Sequence, residues 1–145
     1  MLPKAILNRR GVRMRFLLAV VPLSLSLTAI SPLFAHHSFA SEFDDTKPIT
    51  VKGTVTKFEW TNPHTWIYVD GKDETGKATN WSFECAAPSL LIRRGINKYT
   101  LKVGDMITIE GFRAKDGTSI ASSTNVTFPD GKKIRTGVVG GPSDE

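Results

Sequence analysis

Residues 49–60, ITVKGTVTKFEW, change their apolar face partway along. Ile49, Val51, Gly53 and Val55 share one parity, whereas Phe58 and Trp60 share the other. Side chains alternate strictly along a strand, so a strand that exchanges faces contains a bulge or a sharp bend. Small barrels need such strands to turn a corner, and Gly53 is the residue expected to ease the turn. The bend is expected between Val55 and Phe58, with Val51, Val55, Ile107 and Ile109 buried.

The rest of the chain fits that constraint. TNPH (61–64) reads as a loop, because Pro63 breaks the ladder. TWIYVD (65–70) and ATNWSFEC (78–85) read as the second and third strands, separated by the turn-rich GKDETGK. PSLLIRR (88–94) reads as a short helix: Pro88 suits its start, Arg93 and Arg94 its negative end, and Gly95 its stop. Strands follow at 106–114 and 120–128, and PDG (129–131) permits a hairpin to a short strand at 132–136. The expectation is an all-β fold: a five- to six-stranded OB-like barrel over residues 49–136, with one short helix between strands three and four. Residues 36–48 form a lead-in fastened by Phe39 and Phe43, and 137–145 a flexible tail. Such barrels host many functions, so the fold alone names none.

Residues 1–35 read as a secretory signal peptide. Arg13 and Arg15 precede an apolar stretch from Phe16 to Ile30, and Ser31-Pro32 break it just before Ala35. The stretch is shorter than the roughly 20 residues of a membrane span, so no span is expected after cleavage. The charged leader is long for its class, and both Met1 and Met14 stand as start sites. Five of the 19 basic residues and none of the 14 acidic ones lie in this leader. The basic balance therefore belongs to the signal, and the remaining 110 residues are formally neutral. A neutral exported domain has no electrostatic reason to seek nucleic acid. A domain of that size buries roughly two-thirds of its unfolded surface and needs no staple. The single cysteine, Cys85, alternates with Trp81 and Phe83 and is expected to be a small buried residue.

AHHSFASEFD, VKGTVTKFEWTNPHTWIYVD, NWSFE, LIRRG and VGDMITIEGFRAKDG together resemble a family of small secreted bacterial proteins of unknown function. The resemblance spans roughly residues 35 to 131, and its most specific parts are the HHSF start and the EWTNPH block. It implies export, to the periplasm or beyond, and a small β-barrel, and it implies no activity. Cys85 departs from the aliphatic residue expected there, which agrees with burial.

The chemistry then turns on three histidines, His36, His37 and His64. A cut after Ala35 makes His36 the first residue, whose α-amine and ring nitrogen can chelate one ion. A second imidazole completes a three-nitrogen histidine brace, a set that suits Cu(II). The amine titrates at about pH 8 and imidazole at about 6.5, so both are available once a metal competes. His64, in the loop after the first strand, is the natural third ligand, with Asn62 placed to orient its ring. His37 offers a mode that needs no fold: amine, intervening amide and its own ring. The competing readings are an exposed HH pair without a metal, and a cut after Ala40 that would discard both residues.

Two further constellations stand out. In TWIYVD, Trp66 and Tyr68 share one face and Thr65, Ile67 and Val69 the other, and periodicity does not say which face is buried. If the β-branched set is core, Trp66 and Tyr68 stand on the outer face with Glu84, near Trp60 and Asn62, and could stack a ligand. Glu59, Asp70 and Glu84 read as surface carboxylates rather than an acid–base pair. No nucleophile elbow, phosphate loop or HExxH is present. The functional expectation is a non-enzymatic exported module that binds copper through His36, His64 and His37. The alternative is a metal-free module presenting the Trp66–Tyr68 face to a small ligand or another periplasmic protein. A copper-brace oxidoreductase ranks below both.

Overall fold

The structure, a computed structural model, describes residues 39–73 and 75–138. Residues 1–38, which include the expected signal peptide, His36 and His37, and residues 139–145, the expected tail, lie outside the described residues. Among the described residues eight elements follow in order: α1 (Phe39–Glu42), β1 (Phe43–Glu59), β2 (Thr65–Lys72), β3 (Ala78–Cys85), α2 (Pro88–Arg93), β4 (Met106–Ala114), β5 (Ile120–Thr127) and β6 (Lys133–Arg135). The sheet order is β3-β2-β1-β4-β5-β6, and β3 also pairs in parallel with β5. That second pairing closes β1 to β5 into a ring, with β6 attached to β5. The all-β expectation and the helix between the third and fourth strands are met; α1 is an addition to it.

The face change in β1 is a bulge. The β1–β2 register runs regularly to Val55↔Val69 and then shifts before Lys57↔Tyr68. At that point β1 also leaves β4: the Val55 N–H donates to the Asp105 carbonyl (2.8 Å), and the Val55 carbonyl accepts from the Gly104 N–H (2.8 Å). The bulge sits where the corner was expected, but Gly53 does not make it. Gly53 lies in regular pairing opposite Gly71, where a Cβ would stand 2.2 Å from the Asp70 carbonyl oxygen. Its lack of a side chain permits close approach of two backbones instead.

The core fills the ring. Val51, Val55, Ile67, Val69, Trp81, Phe83, Ile107 and Ile109 form one cluster, joined by Leu91 of α2 and by Ile96 and Leu101 after it. Each fully buried aliphatic or aromatic side chain of this set contributes roughly 1.5–3 kcal/mol. α2 ends as expected: Gly95 takes φ +88°, and the Ile96 N–H returns to the Leu91 carbonyl (2.9 Å). β1 begins earlier than the alternation indicated. Phe43 pairs with Ala114, and regular pairing resumes only at Pro48. Between them Asp44 accepts from the Thr46 N–H (3.1 Å) and pairs with Lys47 (2.9 Å).

Candidate functional site

The faces of β2 and β3 are now assigned. Thr65, Ile67 and Val69 are buried, and so are Trp81, Phe83 and Cys85. Trp66 and Tyr68 therefore point outward, where Trp66 stands opposite Glu84 and Tyr68 opposite Ser82. His64 lies two residues before Trp66, on the same parity, and reaches diagonally to Glu84 across the strand pair.

That diagonal is the best-defined polar contact of the site. His64 Nδ1 pairs with Glu84 Oε1. The Glu84 side chain is only 10% exposed and that of His64 27%. Glu84 is thus not the surface carboxylate that its sequence setting suggested. A carboxylate at Nδ1 favours the tautomer with its proton there, which leaves the Nε2 lone pair free to bind. The ring's orienting partner is Glu84 rather than Asn62, which is exposed. Within the loop Thr61 Oγ1 donates to the His64 carbonyl (2.9 Å), and the Asn62–Pro63 peptide is cis.

These residues border a cleft of about 360 Å³. Its lining comes from four places: Glu42 and Phe43 at the α1–β1 junction, Asn62 and His64 in the β1–β2 loop, Trp66 and Glu84 on the outward sheet face, and Ile120 at the start of β5. The beginning of the described chain and the loop histidine therefore share one cleft, although 22 positions separate Glu42 from His64. Tyr68 belongs to a neighbouring network instead. Its hydroxyl donates to Glu59 Oε2 (2.7 Å), and Lys57 pairs with the same carboxylate and lies 5.2 Å from the Tyr68 ring centre. Lys57 and then Tyr68 hold the Glu59 carboxyl below its usual range, and Glu59 in turn raises the Tyr68 hydroxyl. Trp60 packs edge-on against Phe58 (5.6 Å) at the margin of the core and is not part of the cleft lining. Asp70 accepts from Asn80 Nδ2 (2.7 Å). Glu59, Asp70 and Glu84 thus each contact different side chains: Lys57 and Tyr68, Asn80, and His64.

Cys85 is fully buried, and burial pushes its thiol up to about 12. It neighbours the Ser123 and Thr136 hydroxyls, which bond each other. Sequence reasoning did not find Glu84 as the partner of His64, nor the approach of Glu42 to the cleft. Alternation around Glu84 gave the face; the diagonal partner depends on the β2–β3 register, which no local signal encodes. Among the described residues, no group of three His, Cys, Asp or Glu side chains could hold a metal ion.

Residues 24–123 match a family of unknown function, DUF6152, across more than half of the chain. The chain belongs to this family. No curated protein and no solved structure matches it. Within this DUF6152 chain the matched stretch holds β1 to β4, the whole cleft lining and all three histidines.

Proposed function

We propose that this DUF6152 protein is an exported binding module that holds one Cu(II) ion through the His36 amine and imidazole and through Nε2 of His64. One observation carries the reading: Glu42 and Phe43, five and six positions after His37, line the same cleft as the Glu84-anchored His64. A carboxylate that fixes the remote nitrogen of a ligating imidazole is the usual support of a metal-bound histidine. Imidazole and amine donors favour Cu(II) among the common divalent ions. The apolar run ending near Ala35 supports export and a mature start at His36.

The test is copper titration of three exported proteins: the native form, a form with one glycine added before His36, and His64→Ala. The added glycine displaces the amine from the first imidazole, so it weakens binding strongly, and His64→Ala weakens it as well. Equal affinities in all three would overturn the brace. A fourth protein, His37→Ala, separates the modes: if it is the damaging change instead, the tail-only mode holds the ion. The outward placement of Trp66 beside Glu84 favours a second reading, a metal-free ligand module on this face. Quenching of Trp66 fluorescence by a ligand in copper-free protein, lost in Trp66→Ala, is its signature.

A further inference from the structure

We infer that the α2–β4 connection, residues 92–106, is a docking surface for an anionic phospholipid bilayer. Tyr99 and Val103 enter the bilayer interface, and Lys98 and Lys102 meet its phosphates. This surface shares no residue with the His64 cleft and does not depend on the copper reading. Among the described residues, every large apolar side chain that stands exposed lies in this stretch. These are Ile92, Tyr99, Val103 and Met106, from 48% exposed at Met106 to 72% at Tyr99 and Val103. Single exposed apolar side chains are ordinary, whereas four within fifteen consecutive positions mark a contact surface. The same stretch carries four basic residues, Arg93, Arg94, Lys98 and Lys102, and one acidic residue, Asp105. Positive charge is thus gathered here, although residues 36–145 as a whole are formally neutral.

The fold turns these side chains outward. β3 ends and β4 begins at the same end of the ring, because β3, β2, β1 and β4 alternate in direction. The connection crosses that end with Leu91, Ile96 and Leu101 buried in the core, and the side chains between these anchors face solvent. Two hydrogen-bonded turns hold the tips. In one, the Tyr99 N–H donates to Asn97 Oδ1 (2.8 Å), and the Asn97 N–H donates to Thr100 Oγ1 (2.8 Å). In the other, the Lys102 N–H donates to Asp105 Oδ2 (2.8 Å), and the Gly104 N–H ties the turn to the Val55 carbonyl (2.8 Å). Arg94 is half-buried and donates from Nη1 to the Gly137 carbonyl (2.7 Å), so Arg93, Lys98 and Lys102 are the exposed bases. Lys98 Nζ lies 4.9 Å from the Tyr99 ring centre, which presents charge and ring together. A tyrosine ring suits the boundary between headgroups and acyl chains, and a lysine stem lies along apolar surface while its ammonium reaches phosphate. The aliphatic Ile92, Val103 and Met106 favour a bilayer over a nucleic acid, since bases stack on aromatic rings.

The experiment is vesicle flotation in metal-free buffer, with protein purified from cells expressing the full chain. Vesicles of mixed phosphatidylglycerol and phosphatidylcholine are compared with vesicles of phosphatidylcholine alone. The native protein should float with the anionic vesicles, stay behind with the neutral ones and be released by high salt, which screens the lysines. Lys98→Glu combined with Lys102→Glu should weaken binding by about 25-fold or more, at about fivefold per lysine lost. Tyr99→Ser combined with Val103→Ser should weaken it by about tenfold. Lys72→Glu combined with Lys77→Glu makes the same change in net charge at the opposite end of the ring and should bind like the native protein. All six side chains are exposed, so melting temperatures should not move, and loss of binding is then not loss of fold. No flotation with anionic vesicles, equal flotation with neutral ones, or native binding in either variant of the 92–106 stretch would overturn the docking surface. So would an equal loss in the Lys72 and Lys77 control, which would assign binding to net charge alone. Binding to a single-stranded oligonucleotide without binding to vesicles would overturn it in favour of a nucleic acid.

Discussion

Replacing Glu84 with glutamine keeps the shape of the side chain opposite Trp66 and removes the charge that anchors His64. The Glu84 carboxylate is 10% exposed and pairs with the far nitrogen of the ring whose Nε2 is the proposed ligand. Loss of such an orienting partner costs about 10- to 100-fold in metal affinity. That is about 1.4–2.7 kcal/mol, at one decade per 1.4 kcal/mol. Thermal unfolding reads this directly through linkage. With free Cu(II) buffered at 100 times the native Kd, the native fold gains about 2.7 kcal/mol. The variant, binding 10- to 100-fold more weakly, gains only about 1.4 to 0.4 kcal/mol under the same conditions. At about 4 °C per kcal/mol for a domain of this size, copper should raise the native melting temperature by about 11 °C and that of Glu84→Gln by about 2–6 °C. Circular dichroism melts with and without copper make the comparison within each protein, so any intrinsic effect of the substitution cancels. An equal copper-induced rise in both proteins would refute the role of Glu84 as the anchor of a metal-bound His64.

Other consequences follow from the fold. Cys85, fully buried with its thiol pushed up to about 12, should react with thiol reagents only as fast as the protein unfolds; rapid labelling of the native state would contradict the assignment of β3 faces. Gly53→Ala places a Cβ 2.2 Å from the Asp70 carbonyl oxygen and 2.6 Å from Gly71 Cα, both rigid backbone. It should cost at least about 1–3 kcal/mol in a urea titration, and an unchanged midpoint would mean that β1 and β2 are not so close. Asp73 is held at about 2, below its ordinary 3.8, by the Thr75 hydroxyl and by Arg113, whose Nη2 lies 2.9 Å from its Oδ2. A depressed carboxyl stabilises the fold above about pH 4, and that contribution disappears as pH falls through about 2. Asp73→Asn should therefore lose less stability than the native protein between pH 5 and pH 2, and equal losses would contradict the pairing.

The sequence carried the local half of this account. The parity change between Val55 and Phe58 located the bulge, because alternation is a property of each strand by itself. Strand β3 and helix α2 were legible for the same reason: Trp81, Phe83 and Cys85 alternate cleanly, and Pro88 and Gly95 bracket the helix. The face of β2 was not, since Trp66 and Tyr68 are as apolar as Ile67 and Val69, and only packing against the ring decides between them. Closure through β3 and β5 depends on residues such as Phe83 and Ala121, 38 positions apart, and leaves no local trace. Gly53 was noticed and given the wrong task, because a glycine that lets strands approach looks like one that lets a strand bend. At the site, His64 was singled out by its loop and its scarcity. Its partner Glu84 reaches the cleft only through strand register, and Glu42 only through a contact 73 positions away, its carbonyl accepting from the Lys115 N–H (2.9 Å).

The central claim is that a processed N-terminus and a loop histidine share one copper ion. Native mass spectrometry of the protein exported from cells expressing the full chain, after one equivalent of Cu(II), tests both halves in one spectrum. The account predicts a chain that begins at His36 and carries a single copper, and a copper-free spectrum for the His64→Ala protein at the same metal concentration. A chain beginning at Ser41, or a His36 chain that holds copper equally well with and without His64, would contradict it.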